Sequence, residues 1–121
     1  MYLRVLYVVL IAFLAGCSIG REAVDPKIFA GTWETTAAKY ADRFIDIRRN
    51  SIAFGTGGQD FQSYTITGMV LDSSAGRPHY TIYYKDGSGD GYEVSFYFDA
   101  KSKVIRLKHQ EQIEWKRRSR S

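Results

Sequence analysis

The sequence predicts an all-β fold, and three features of the chain support that prediction. Apolar and polar residues alternate with a period of two through much of residues 28–117, as they do in half-buried strands. Runs rich in glycine, serine and aspartate interrupt the alternation at short intervals, which is typical of turns between strands. The region shows no convincing 3.6-residue apolar period of a helix. We therefore expect an antiparallel up-and-down meander of about seven or eight strands.

The strand signals differ in strength along the chain. Residues 92–99 (YEVSFYFD) alternate most clearly, residues 80–84 alternate in the same way, and the glycine-rich loop 85–91 predicts a hairpin between them. Gly68 predicts a bend or bulge inside a long strand. Residues 37–42 fit either one helical turn or a loop. We expect further strands over these residues: 31–36, 44–48, 52–54, 61–71, 104–108 and 112–116.

The connections between these segments indicate how the strands are arranged. Each is short enough for a hairpin and too short for a helical crossover, so neighbouring strands are expected to be antiparallel. A meander of this length has to protect its two edges, which favours a closed or nearly closed barrel. A two-layer β-sandwich is the alternative.

The first 16 residues have the composition of a secretory signal. Arg4 is the only charge before Arg21, and residues 5–14 are apolar. As a helix, those ten residues rise ~15 Å, about half of a hydrocarbon core of ~30 Å. Small residues follow the apolar run. The pattern predicts a signal peptide over residues 1–16 rather than a permanent membrane span.

The signal ends in Leu14-Ala15-Gly16-Cys17, which resembles the lipobox of bacterial lipoprotein precursors. The resemblance implies cleavage before Cys17, diacylation of its thiol and, usually, acylation of the new amino terminus. Two or more acyl chains anchor a protein stably, whereas one does not. In Gram-negative members, Ser18 in the following position is compatible with export to the outer membrane, where the domain would face the periplasm. An ordinary signal peptide with a chance cysteine is the alternative.

Cleavage would divide the chain into three further parts. Residues 17–27 would be the lipidated cysteine and a linker, residues 28–117 the all-β domain, and residues 118–121 a basic tail. Cys17 is the only cysteine, so the domain is expected to depend on its apolar core rather than on a disulfide. The basic tail could contact anionic lipid headgroups or remain a solvated end. We expect no nucleic-acid partner for an exported protein.

Gly31-Thr32-Trp33 at the start of the first predicted strand resembles the opening motif of lipocalins and related calycins. The resemblance implies that Trp33 closes one end of a small barrel and that an arginine from the last strand packs across it. Arg117 is the candidate for that arginine. The family's later motif has no counterpart here, so its ligand-binding residues are not transferred. A core aromatic at a strand start is the alternative role for Trp33.

Motifs for metal, phosphate or catalysis are weak. The loop that begins at Asp86 resembles the start of a calcium loop, but its twelfth position is Tyr97 instead of a bidentate glutamate. The Gly55-Thr56-Gly57-Gly58 run lacks the lysine of a phosphate-binding loop. His79 and His109 are the only histidines, and they do not make a zinc site without cysteines. We expect no cofactor and no enzymatic activity.

Tyrosines are the strongest indication of a binding role. Rings on one strand face could line a ligand cavity, although aromatic residues also fill small cores. We expect Tyr80 to contact a ligand, together with position 82 of the same face, which is Ile82. The sequence thus favours a lipid-anchored envelope module that binds an apolar, amphipathic or glycan ligand. A protein–protein interaction or inhibitor module of the envelope is the alternative. Five tyrosines lie on two neighbouring predicted strands: Tyr80, Tyr83, Tyr84, Tyr92 and Tyr97.

Overall fold

The computed structural model describes residues 20–74 and 76–119. The predicted signal peptide at 1–16 and the predicted lipidation site Cys17 lie outside the described residues. Arg120 and Ser121, the last residues of the predicted basic tail, lie outside them as well.

Nine strands and two short 3₁₀ helices form the described chain. The 3₁₀ helices are Pro26–Phe29 and Ala38–Tyr40. The strands are β1 (Arg21–Ala23), β2 (Gly31–Glu34), β3 (Phe44–Ile47), β4 (Ser51–Gly57), β5 (Asp60–Asp72), β6 (His79–Lys85), β7 (Gly91–Asp99), β8 (Val104–Leu107) and β9 (Trp115–Arg117).

Eight of these strands close an antiparallel barrel. From β2 to β9 each strand pairs with the next along the chain, and β9 pairs with β2 to complete the circle. The all-β meander is confirmed, and its closure rules out the two-layer sandwich. A closed barrel removes the free edges through which open sheets associate.

The long strand β5 bends and pairs with two different strands along its length. Its first half pairs with β4 and its second half with β6, and the register shifts between Ile66 and Gly68. The bulge lies where Gly68 predicts it. The pairing of β5 with β4 ends at Thr65, so one edge of the second half of β5 is open to another strand.

Strand β1 occupies that edge and is the main departure from the predicted organisation. Residues 17–27 were expected to be a linker, but Arg21–Ala23 pairs with Val70–Asp72 of β5 as a ninth strand outside the circle. All three side chains of β1 are exposed, so the segment has no alternation to mark it as a strand. Backbone hydrogen bonding to an unfilled edge determines its conformation.

Smaller differences occur at several predicted element boundaries, and the strand expected over 52–54 extends over Ser51–Gly57. The first barrel strand ends at Glu34 instead of residue 36, and the ambiguous 37–42 segment contains the 3₁₀ helix Ala38–Tyr40. The last strand, expected over 112–116, begins only at Trp115. The intervening 108–114 segment folds back over the outside of the barrel, where the Arg106 guanidinium donates to the carbonyl oxygen of Glu111 at 2.9 Å.

The barrel interior is filled by apolar side chains. A void among the core side chains has a volume of only about 10 Å³, close to the minimum that one water molecule requires. The packing follows from the period-two alternation, because most inward residues of the eight strands are large and apolar. The core contains Phe29, Trp33, Ile45, Ile47, Ile52, Met69, Ile82, Phe96, Ile105, Ile113 and Trp115. Among the residues of 20–74 and 76–119, no helix is both long enough and apolar enough to cross a membrane.

Candidate functional site

The antiparallel meander places alternate connections at opposite ends of the barrel. One end, which we call the closed end, carries the segments 24–30, 48–50, 73–74, 76–78, 100–103 and 118–119. The other, which we call the open end, carries the segments 35–43, 58–59, 86–90 and 108–114.

The closed end is sealed by the 3₁₀ helix Pro26–Phe29. The Asp25 carboxylate caps this helix by accepting a hydrogen bond from the Lys27 amide at 3.0 Å. The helix inserts the Phe29 ring into the barrel, where it meets Phe96 edge to face with ring centroids 5.1 Å apart. The Trp33 indole N–H donates to the Phe29 carbonyl oxygen at 2.9 Å, which ties the plug to the first barrel strand.

Arg117 completes this seal in the way that the lipocalin resemblance implies. Its guanidinium carbon lies 4.8 Å from the centre of the Trp33 ring, a cation–π contact. It also donates to the carbonyl oxygen of Ile28 at 3.0 Å. Gly31 makes room for the arginine, because a Cβ at that position would lie 3.1 Å from the Arg117 side chain.

The open end contains a groove of about 500 Å³. It runs between the Ala38–Tyr40 helix, the β3–β4 side of the barrel and the first residues after β8. Apolar side chains of the core form its floor, and polar side chains form its rim. The lining residues that matter for ligand chemistry are Tyr40, Arg43, Phe54, Thr56, Gln110 and Trp115.

Side-chain contacts hold one wall of the groove in place. The Gln110 side-chain amide donates to the Tyr40 hydroxyl at 3.1 Å, which connects two open-end segments. The Arg43 guanidinium carbon lies 5.2 Å from the centre of the Tyr40 ring. Phe44 packs directly on Gly55, where a Cβ would lie only 2.3 Å from the ring. The wall therefore consists of a fixed aromatic surface with a cation beside it.

Trp115 lines the groove and carries a buried hydrogen-bond donor that is unpaired. Its side chain is only 4% exposed, and its indole N–H has no hydrogen-bond partner. Among the described side chains, it is the one buried polar atom left unsatisfied. A buried donor without an acceptor costs about 1–3 kcal/mol. The other tryptophan, Trp33, has its acceptor.

A cluster of aromatic rings adjoins the groove through Phe54. The Phe54 ring lies 5.9 Å from Tyr64 and 5.6 Å from Tyr84, and Tyr84 stacks on Tyr92 at 5.7 Å. Burial raises the pKa of the Tyr84 hydroxyl. The pKa of Tyr92 is also raised, mainly because its hydroxyl donates to the Asp86 carboxylate at 3.1 Å. The open end is thus rimmed by neutral phenols.

The five tyrosines of the sequence prediction are divided between the two faces of the barrel wall. Tyr80 points inward and stacks on Phe96, and Ile82 beside it is fully buried. Tyr84 and Tyr92 also face inward, at the open end. Tyr83 and Tyr97 are on the outer face: Arg21 donates to the Tyr83 hydroxyl, and Arg77 covers the Tyr97 ring. In the filled barrel Tyr80 and Ile82 contact core residues, and their role as ligand contacts stays a prediction.

The two glycine-rich segments differ, because the loop that begins at Asp86 is a turn whereas Gly55-Thr56-Gly57 lies within β4 and only Gly58 follows that strand. The Asp86 carboxylate accepts from the Ser88 and Asp90 amides at 2.9 and 3.0 Å, so the loop uses its own oxygen atoms. Gly57 and Gly58 have φ values of 127° and 62° in the β4–β5 turn. Within the described ranges there is no group of three or more His, Cys, Asp or Glu residues that could hold a metal ion.

The two histidines lie in different environments. His79 is 9% exposed on the outer wall, where its ring contacts Tyr97. His109 is exposed in the segment that follows β8. Neither histidine lines the open-end groove.

Sequence reasoning did not identify Tyr40, Arg43 or Gln110 as site residues, and it placed Trp115 only in a strand. These residues come from connections whose conformation has no periodic signal. No protein-family model, curated protein or solved structure matches this chain.

Proposed function

We propose that this protein is a small-molecule binding module whose ligand occupies the open-end groove. The observation that carries the proposal is the combination of Trp115, with its unsatisfied indole N–H, and the Arg43 cation in one groove of about 500 Å³. Pockets that hold small molecules typically measure about 300–1,000 Å³ and combine an apolar lining with a few polar groups.

The chemistry of the groove favours an amphipathic ligand with an acidic or oxygen-bearing head. Phe54, Leu107 and Trp115 offer apolar and aromatic surface to its tail or ring, and Arg43 offers charge-assisted hydrogen bonds to its head. A small shift of the Trp115 side chain would give its N–H an acceptor on the ligand. Binding would then remove the free-energy cost of burying the Trp115 N–H without an acceptor.

The ligand is proposed to lie across the mouth of the barrel and not within it. The filled interior, with about 10 Å³ of free space, supports this position. The barrel is proposed to be a reduced lipocalin-like barrel. The contact of Arg117 with Trp33 supports that assignment, together with the eight-stranded meander. We propose no catalytic role.

Fluorescence titration tests the binding proposal. We expect a long-chain fatty acid or a lysophospholipid to change the emission of the two tryptophans saturably, with a glycan of similar size as the comparison ligand. Arg43→Gln should weaken binding about tenfold, because a charge-assisted hydrogen bond contributes about 1.5–3 kcal/mol. Lys85→Gln, at an exposed lysine outside the groove, is the matched control. A flat response to all three ligands would refute the proposal.

We also propose that the protein is a lipoprotein of the cell envelope, anchored through acyl chains on Cys17. The lipobox resemblance of Leu14-Ala15-Gly16-Cys17 supports this proposal, and Ser18 supports the outer membrane in a Gram-negative host.

Replacing the proposed acylation site tests the anchor. We expect Cys17→Ala to give an uncut precursor that takes up no labelled fatty acid, because the thiol that carries the chains is gone. Gel mobility and radiolabel incorporation measure the two effects, and Ser18→Ala serves as the neighbouring control. Normal processing and acylation of Cys17→Ala would contradict the lipoprotein proposal.

A second candidate function is binding of another envelope protein. Phe61 favours it, because this aromatic side chain is 61% exposed at the start of β5. Cross-linking in intact cells distinguishes the two functions. A protein partner should be lost with Phe61→Ser and retained with Arg43→Gln, whereas a small-molecule ligand should show the opposite dependence.

A further inference from the structure

Charge is distributed unequally between the two ends of the barrel. Outside the strands, the closed end carries seven basic residues and one acidic residue: Lys27, Arg48, Arg49, Arg77, Lys101, Lys103 and Arg118 against Asp25. The open-end segments carry three basic residues, Lys39, Arg43 and Lys108, and five acidic ones, Asp42, Asp86, Asp90, Glu111 and Glu114. Glu111 and Glu114 pair with Arg77 and Arg106 on the outer wall, so the remaining charges of the open end balance. The molecule therefore has a basic pole at its closed end and no matching excess of cations at its open end.

Some basic residues of the closed end form ion pairs, and the others do not. Several arginines at or near the closed end already have carboxylate partners, including Arg49 with Asp25 and Arg118 with Glu34. The basic residues of this end without a carboxylate partner among the described residues are Lys27, Lys101, Lys103, Lys116 and Arg117.

Three of these cations surround one concavity. A groove of about 280 Å³ is lined by Lys103, Lys116 and Arg117, with Ser102 beside them and the Trp33 and Phe98 rings at its floor. No acidic side chain lines this groove. Arg117 is held in place by its contacts with Trp33 and the Ile28 carbonyl, so part of the site is preorganised. Two lysines and an arginine around a hydroxyl form a suitable site for a phosphate group.

An apolar side chain accompanies the cations. Ile28 is 47% exposed in the Pro26–Phe29 helix, between Lys27 and the Phe29 plug. Arg117 donates to its carbonyl oxygen, which places this segment beside the basic groove. An exposed isoleucine among unpaired cations is the combination found on surfaces that rest on lipid headgroups.

We propose that the closed end docks on an anionic phospholipid bilayer, with a headgroup phosphate in the groove of Lys103, Lys116 and Arg117. The inference rests in part on the proposed anchor. Cys17 is three residues before Gly20, whose carbonyl accepts from the Ser73 amide at the closed end at 2.7 Å. A tether attached three residues before Gly20 therefore starts from the same end of the barrel as the basic pole. The ligand groove at the open end then faces away from the membrane.

Spin labels at the two ends of the processed, full-chain protein in vesicles test this orientation. Ala100→Cys labels the closed end and Ser88→Cys the open end. Phosphatidylcholine vesicles with and without phosphatidylglycerol are the membranes. In anionic vesicles, we expect the label at position 100 to be protected from a water-soluble relaxation agent and the label at position 88 to stay accessible. In neutral vesicles, where the acyl anchor holds the protein without net anionic charge to attract the basic pole, the label at position 100 should be clearly less protected and the label at position 88 should stay accessible.

Paired charge variants identify the groove. Lys103→Asn with Lys116→Gln should lower the ratio of docked to undocked protein about thirtyfold, since each near-surface lysine contributes about 1 kcal/mol. Asn suits position 103, whose φ is 58°. Lys39→Gln with Lys108→Gln removes the same charge from the open end and should leave docking unchanged.

Three results would overturn the docking proposal: equal protection in neutral vesicles, protection at position 88 instead of 100, or an equal effect of the two charge variants. Saturation of the groove by inorganic phosphate, without protection in anionic vesicles, would identify a small-anion site and also refute docking. The mass of the native protein tests the acyl anchor separately, so failure of the anchor and failure of docking are distinguishable.

Discussion

The two tryptophans are both buried, yet only one has an acceptor for its indole N–H. Trp33 donates to the Phe29 carbonyl and lies beneath the Arg117 guanidinium, so its N–H and one face of its ring both have partners. Trp115 occupies the first position of β9 with its N–H unpaired. Because its N–H is hydrogen-bonded, we assign Trp33 to the seal of the barrel. Because its N–H is unpaired, we propose that Trp115 binds the ligand.

Stability measurements test the structural role of Trp33. We expect Trp33→Ala to lower the free energy of unfolding by about 3–5 kcal/mol, because it removes a large ring that is 1% exposed and leaves a cavity. Chemical denaturation measures the change. Tyr83→Ala, on the outer wall, is the control and should cost much less. A loss of less than ~0.5 kcal/mol for Trp33→Ala would show that the ring is not part of the core.

At the scale of elements, the sequence predicts the strands that have a repeating apolar–polar pattern, and it does not predict features that form only when distant segments meet. The eight barrel strands follow from local alternation and short turns. Strand β1 could not be predicted, because backbone bonding to the free edge of β5 stabilises it and its side chains show no pattern. The groove was missed for a related reason: Tyr40 and Gln110, which meet in its wall, are 70 positions apart.

The β7–β8 turn shows how one side chain stabilises an element. The Asp99 carboxylate accepts from the Ser102 and Lys101 amides at 3.3 and 2.9 Å. These hydrogen bonds, from Ser102 first, hold the pKa of Asp99 below its ordinary value. A depressed pKa adds stability that is present above the unfolded-state value of about 3.9 and lost as the pH falls through the folded-state value.

Replacing Asp99 therefore has an effect that depends on pH. We expect Asp99→Asn to reduce the free energy of unfolding at neutral pH, and the difference from the unmodified protein to shrink as the pH falls below about 4. Denaturation curves at several pH values measure this. Asp60→Asn, at an exposed position, is the control. A difference that stays constant with pH would show that the carboxylate charge does not stabilise the turn.

At the scale of the whole molecule, the barrel has a sealed, basic closed end and an open end with a groove. The lipocalin resemblance at Gly31-Thr32-Trp33 implied the contact of Trp33 with Arg117, which the structure contains. Composition alone did not indicate where binding would occur, because the tyrosines serve both the core and the outer wall. Because the interior is filled, we propose that the ligand binds at the open end of the barrel and not inside it.

The most direct test of binding at the open-end groove is the pair of indole ¹H–¹⁵N resonances, since the chain has two tryptophans. On titration with the fatty acid or lysophospholipid that changes the fluorescence, the account requires the Trp115 resonance to move downfield as its N–H gains an acceptor. The Trp33 resonance should stay in place. A shift of Trp33 with Trp115 unmoved, or no shift of either at saturating ligand, would contradict it.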